Sequence, residues 1–257
     1  HYAHVVRAEL GAAAVFSGIT TRTFESPHGR IDAGAVAAAI NPKAGPYQVS
    51  TAAIAVENTH NFGGGSIQPP EQVAQVRALA AEHDLGLHLD GARLWNASIA
   101  SGTPLRELAQ GFDTVSVCLS KGLGAPVGSL LASTAERIAR ARVWRKRYGG
   151  GMRQAGILAA AGLHALDHHV QRLADDHRRA RSLGEALGAD PAGIDTNILV
   201  LQVPDAPAVA ALAAQRDVLV STLGPTALRM ITHLDVDDNG IDRAVDVLRP
   251  ILQDSGA

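Results

Sequence analysis

Short apolar runs that stop at polar or glycine-rich loops, with helix-patterned stretches between them, constrain this chain more than any other feature. Val49 to Glu57 (VSTAAIAVE) has the make-up of a buried strand and stops at Asn58-Thr59-His60-Asn61, ahead of Gly63-Gly64-Gly65. Pro70 to His83 follows with helical spacing, setting Val73, Val76, Leu79 and Ala80 on one face. Leu85 to Asp90 is a second strand, and Leu94 to Ser101 and Thr103 to Gln110 are two short helices, the latter with Pro104 in its first turn. Phe112 to Ser120 and Val127 to Ala132 complete the set. Strands separated by helices predict parallel βαβ units, with helices over both sheet faces. With 46% apolar residues in 257, the chain has material for a sizeable core.

Beyond Gly149-Gly150-Gly151 the pattern changes. An Ala/Leu-rich helical stretch runs from about Gln154 to Leu187, with a break expected near His168. Asn197 to Val203, Val218 to Leu223 and Ala227 to Thr232 then read as strands, and Ala206 to Gln215 and Asn239 to Leu252 as the helices packed on them. The expectation is an α/β large domain over residues 1–150 and, over 151–257, a connecting helix and a small C-terminal α+β domain.

Two strand ends carry the chemistry. One apolar run ends in Ser120-Lys121-Gly122-Leu123-Gly124, and another in Asp90-Gly91-Ala92-Arg93. Ligands of open α/β sheets bind beyond the carboxyl ends of the strands, where both Lys121 and Asp90 fall. A lysine able to form a Schiff base and a carboxylate able to pair with a pyridine nitrogen point to pyridoxal phosphate as cofactor. Taken singly, a solvated lysine or a helix-capping acid is the commoner role for such residues; the matched pair favours the catalytic one. His60, also at a strand end, suits acid–base chemistry near neutral pH, although loop histidines are more often simply satisfied by backbone. His4 can stack on a cofactor ring or pack in a core. Arg229 interrupts the apolar strand Leu228-Arg229-Met230-Ile231 and needs an anion, supplied equally well by a substrate carboxylate or an internal acid.

Other signals exclude more than they suggest. A formal charge of −2 gives no reason to expect nucleic acid or an anionic membrane. The basic run from Arg137 to Arg147 has helical spacing and little aromatic interleaving, which fits a solvated or subunit-facing helix. No apolar stretch reaches about 18 residues, so no membrane span is expected. His164 and His168 share a helix face without a third ligand, so no metal site is expected. One cysteine, Cys118, excludes an internal disulfide and fits a reducing cytoplasm.

Together, Ala3–Gly18 (AHVVRAELGAAAVFSG), Val56–Asn61 (VENTHN), His88–Gly102 (HLDGARLWNASIASG), Cys118–Ser129 (CLSKGLGAPVGS), Gly149–Gly162 (GGGMRQAGILAAAG) and Leu228–His233 (LRMITH) closely resemble low-specificity L-threonine aldolases, pyridoxal-phosphate enzymes of fold type I, the aspartate-aminotransferase fold. The matches keep the family's order over nearly the whole chain. The resemblance implies that Lys121 carries the cofactor with Ser120 beside it. Asp90 meets the pyridine nitrogen, and His4 stacks on the ring. His60 lies near the substrate β-hydroxyl, Arg93 and Arg229 hold the substrate carboxylate, and Arg153 approaches the cofactor phosphate across a subunit interface. Glu9 matches a family acid without an assigned role. The implied reaction cleaves L-threonine and L-allo-threonine to glycine and acetaldehyde, in a homodimer or homotetramer. The family's Ser-Gly-Thr phosphate loop, which precedes the segment matching His4, has no counterpart here. The large domain is therefore expected to be incomplete and the phosphate poorly held. Two rival readings remain: another pyridoxal-phosphate lyase, β-eliminating or acting on phenylserine, and a non-catalytic remnant that pairs with other subunits.

Overall fold

The structure, a computed structural model, describes residues 1–255. Its larger sheet has the order β1 (Ala53–Glu57), β2 (Gly86–Gly91), β3 (Thr114–Cys118) and β4 (Ser129–Ala132), the first three parallel and the last antiparallel. Helices Pro70–Glu82 and Leu94–Ser101 make the crossovers between the parallel strands. The smaller sheet is antiparallel, ordered β5 (Ile198–Gln202), β7 (Ala227–Ile231) and β6 (Ser221–Thr222). Among the described residues no helix is long and apolar enough to cross a membrane.

The two faces of the larger sheet are chemically sorted. Ile54, Val56, Leu87, Leu89 and Val115 point one way and close a core with Val76 and Ala80 of the first crossover helix and Leu94 and Ala97 of the second. The strand period of two sends the alternate residues to the other face. In-register pairing lines them up as Ala55 with His88 and Thr114, and as Glu57 with Asp90 and Ser116. This second face is small and polar. It is exposed at Ala53 and Ala55 and along the whole of β4.

The predicted runs are recovered with shorter limits, because only residues with ladder partners form strand. Val49 to Glu57 narrows to Ala53–Glu57, and Val218 to Leu223 to the pair Ser221–Thr222, which bonds to β7. The long helical stretch does break, into Gly156–His168 and Leu173–Ala186. At the break His169 donates from Nδ1 to the Leu123 carbonyl at 2.6 Å, and Leu173 enters a small core with Leu119, Leu123, Ala125 and Ala165. That core lies directly beneath the Lys121 loop. A third core, around Leu199, Leu228, Leu248 and Ile251, packs helices Leu173–Ala186, Ala206–Ala214 and Asp238–Asp254 on the smaller sheet. Asp205 and Asp237 cap the last two helices by accepting from Ala208 and Gly240 N–H.

A buried polar seam joins the two sheets. Asn96, on the helix after β2, donates to His177 Nε2 at 3.1 Å and to Asn197 Oδ1 at 3.3 Å. Asn197 in turn donates to the Thr232 carbonyl, and the Thr232 hydroxyl donates to the Asp176 carbonyl. Burial, and then the neighbouring Arg181, push His177 down to about 4. The Asn96 bond fits this, since a proton on Nε2 would face a donor.

The seam makes stability pH-dependent. Unfolded His177 takes up a proton near 6.5, whereas the folded ring resists until about 4. Its contribution is therefore complete above 6.5 and is lost as pH falls toward 4, with a ceiling of about 3 kcal/mol. We expect the melting temperature to fall between pH 7 and pH 5, and His177→Gln to flatten that fall. Thermal denaturation across this range, with parallel slopes for the two proteins, would exclude His177 as the cause.

Candidate active site

Parallel pairing brings the strand ends to one level, and the site grows from there. Asp90 ends β2 beside Glu57 of β1, and its Oδ1 accepts from Ala92 N–H at 3.1 Å, which turns the chain so that Arg93 heads the next helix. Lys121 lies in the tight loop after β3, closed by Gly124 N–H to the Lys121 carbonyl at 2.9 Å. Gly124 has φ +72°, a conformation that favours glycine. At Gly122 a Cβ would come within 2.7 Å of Leu173 Cδ2, so the loop seats against its supporting core only without a side chain.

A cavity of about 210 Å³ results, lined by Asp90, Arg93, Lys121, Arg229 and His4 together with Glu57, Thr59 and Asn61. It opens into a larger cleft of about 840 Å³ that shares Arg93, Lys121 and Arg229 and runs along the smaller sheet and the His233–Val236 turn. Lys121, Asp90, His4, Arg93 and Arg229, five residues singled out in the sequence, thus meet in one space.

The two arginines arrive from opposite halves. Arg93 Nη1 donates to Asn61 Oδ1 at 3.0 Å and Arg229 Nη1 to the same oxygen at 3.3 Å. Among the described residues neither forms a carboxylate ion pair. Burial first, then the charge of Arg229, push the Arg93 guanidinium below its ordinary range, and burial does the same to Arg229. Arg229 Nε and Thr59 Oγ1 are buried without a hydrogen-bond partner among the described residues. A pair of cations held by one neutral amide is a receptor for a carboxylate or another oxyanion.

His4 is attached at two points: its backbone N–H donates to Glu57 Oε2 at 2.7 Å, and its ring Nε2 lies 3.0 Å from Glu9 Oε1. His60 is placed differently. It is 4% exposed, does not line the cavity, and packs flat on Gly29, where a Cβ would come within 2.3 Å of the ring. Burial lowers its pKa, opposed by the Glu57 carboxylate. Ser120 and Arg153 are exposed and line neither cavity. Besides Ala92, three polar lining residues had no assigned part: Glu57, Thr59 and Asn61. All lie in the quoted Glu57–Asn61 stretch, and the in-register partnership of Glu57 with Asp90 is the signal that would have found it.

Comparison with known proteins gives the family. The beta-eliminating lyase family matches residues 1–202. The chain belongs to that family. It is 37% identical over 97% of its length to a protein of Arabidopsis thaliana named probable low-specificity L-threonine aldolase 2, covering 74% of that relative. It is 41% identical over 91% of its length to the low specificity L-threonine aldolase of Escherichia coli K12, covering 70% of it. A solved threonine aldolase of Leishmania major superposes with a TM-score of 0.82 at 21% identity, over 98% of this chain and 75% of that one. The fold is thus that of threonine aldolases, fold type I.

Arg229 is a partly buried cation with an unpartnered Nε, and its removal should show the cost. We expect Arg229→Met to raise the melting temperature of the ligand-free protein by about 2–4 °C, the equivalent of roughly 1 kcal/mol for a chain of this size. A fall in melting temperature, measured by calorimetry, would make Arg229 a structural cation.

Proposed function

We propose that the protein is a pyridoxal-phosphate-dependent aldolase that cleaves L-threonine and L-allo-threonine to glycine and acetaldehyde. The observation that carries this reading is the convergence of Lys121, Asp90 and two guanidiniums without carboxylate partners on one cavity, in a chain of this family. The residues present fit the cofactor: a strand-end lysine and an acid share the space, and the unpartnered Arg229 Nε and Thr59 Oγ1 stand ready for polar ligand atoms.

Lys121 would hold the cofactor through its aldehyde, and Asp90 would pair with its pyridine nitrogen and favour the protonated form. When bound, the cofactor supplies the conjugated system that takes up the electron pair of the broken Cα–Cβ bond. Arg93 and Arg229 fork onto the substrate carboxylate and fix the rotation about the Cα–N bond, so that Cβ is the substituent set for cleavage. His4 flanks the cavity where a ring would stack, oriented by Glu9. Ser120 and Arg153 are assigned to the phosphate side by family resemblance. His60 is assigned by the same resemblance to the β-hydroxyl side. The exposed apolar residues Leu10, Phe16, Ile157 and Leu163 support a homodimer or homotetramer. Residues 1–150 then form the cofactor-binding unit and 151–257 the small one, in a cytoplasmic protein consistent with its single cysteine.

A second reading, β-elimination, is favoured by the family's description alone and uses the same cofactor residues. Product analysis separates the two. With threonine we expect acetaldehyde and glycine; ammonia with a 2-oxo acid would establish elimination. Lys121→Ala should lose the near-visible absorbance of bound pyridoxal phosphate and all turnover. Arg229→Lys, which keeps charge but not the fork, should raise KM for threonine by about tenfold or more, or 1.4 kcal/mol. An unchanged KM would remove Arg229 from the carboxylate site.

A further inference from the structure

We infer that Glu57, rather than His60, takes the β-hydroxyl proton of the substrate. The inference deepens the aldolase reading and rests on it.

Lone pairs decide the matter. A neutral imidazole has one nitrogen lone pair, and in His60 it is engaged: Nδ1 accepts from Gly63 N–H at 3.0 Å. The ring proton is therefore on Nε2, which faces Glu57 Oε2 at 3.8 Å. The backbone at Gly29 walls off one side of the ring, so His60 cannot turn its accepting nitrogen to the cavity without losing both contacts. It has no free acceptor and no opening to substrate.

Glu57 has both. Glu57 lines the cavity with Lys121 and Asp90, whereas His60 does not. Oε2 accepts from His4 N–H at 2.7 Å and Oε1 from Asn61 N–H at 2.8 Å. An ionised carboxylate has about four lone-pair sites, so about two remain for a hydroxyl. The two N–H bonds also fix its direction. Asp90, the other carboxylate, is committed to the pyridine nitrogen. The Asn61 backbone that Glu57 holds belongs to the residue whose side chain meets Arg93 and Arg229, so the carboxylate clamp and the proton acceptor are parts of one turn.

The step balances simply. The β-hydroxyl O–H bond breaks and its proton passes to a Glu57 oxygen. The O–H electron pair becomes the second C–O bond of acetaldehyde, and the Cα–Cβ pair stays with Cα. Cα then takes one proton to give glycine, and Glu57 releases the one it had gained, so no net proton is consumed. His60 Nε2–H faces that carboxylate at 3.8 Å, beyond hydrogen-bond distance, so the His4 and Asn61 N–H groups hold it.

The test separates chemistry at the hydroxyl from chemistry at Cα. Glycine carries no β-hydroxyl, so exchange of its Cα hydrogen in deuterium oxide, followed by NMR, needs the cofactor but not the hydroxyl acceptor. In the pyridoxal-phosphate-loaded protein, Glu57→Gln should lower kcat for threonine cleavage about 10²–10³-fold. Glycine exchange, cofactor absorbance and KM should stay within a few-fold of wild type. If the Gln protein fails to fold, Glu57→Asp, which keeps the charge one methylene back, should show the same split in milder form. Parallel loss of cleavage and exchange in the folded variant would reduce Glu57 to a strut for the His4 segment and overturn the inference. So would full cleavage by Glu57→Gln, or its loss in His60→Asn alone. A wild-type protein with neither cofactor absorbance nor glycine exchange would instead overturn the aldolase reading, and this inference with it.

Discussion

Two guanidiniums meet on one amide oxygen, Asn61 Oδ1, and the rest of the structure has to accommodate that meeting. Arg93 caps the helix that follows β2 of the parallel sheet and Arg229 lies in β7 of the antiparallel one, so the contact spans the gap between the two halves. It is an uneasy closure, because like charges come together where water is scarce and a neutral acceptor answers both. Something else must hold the halves in place. The seam from Asn96 through His177, Asn197 and Thr232 does so, with nearly every buried polar group partnered. Satisfied hydrogen bonds at the seam support an unsatisfied pair at the cavity.

The parallel register sets the other half of the site. Glu57 and Asp90 are paired across adjacent strands, and neighbouring strands lie about 4.8 Å apart. The same period of two that buries Ile54, Val56, Leu87 and Leu89 delivers both carboxylates to the small, polar face. A slip of one residue would bury the acids and expose the leucines, so the core that stabilises the sheet also places the acids. Supporting the Lys121 loop is a matter of volume, since Leu173 fills the space beside Gly122.

What could be read from the chain was whatever interrupts an apolar run. Asp90, Lys121 and Arg229 stand out because a charged residue at the end or middle of a strand needs a reason. Strand–helix alternation and the break near His168 were legible for the same local reason. Glu57 was not, since its meaning depends on which residue of β2 lies beside it. Nor was the orientation of His60, which depends on Gly63 N–H and on Gly29, a residue far back in the chain. Asn61 gains its part only when Arg229, 168 residues away, folds back to it. Long-range closure decides such roles, and a motif shows residue types without showing which atoms are already engaged.

Charge accounting ties the cavity to its ligand. Lys121, Arg93 and Arg229 face Glu57 and Asp90 across about 210 Å³, an excess of one cation. These side chains are partly or fully buried, where charges are screened less than in bulk water, so the excess favours an anionic ligand group over a neutral one. Two of the cations, Arg93 and Arg229, share a neutral amide, although Arg93 also feels the charges of Glu57 and Asp90; under the proposed reading a substrate carboxylate is drawn to the Arg93–Arg229 side. Under the same proposal, an α-amino acid held by its carboxylate turns its remaining substituents toward Glu57, Asp90 and Lys121. The imbalance that burdens Arg93 and Arg229 would thus align the substrate of the proposed reaction.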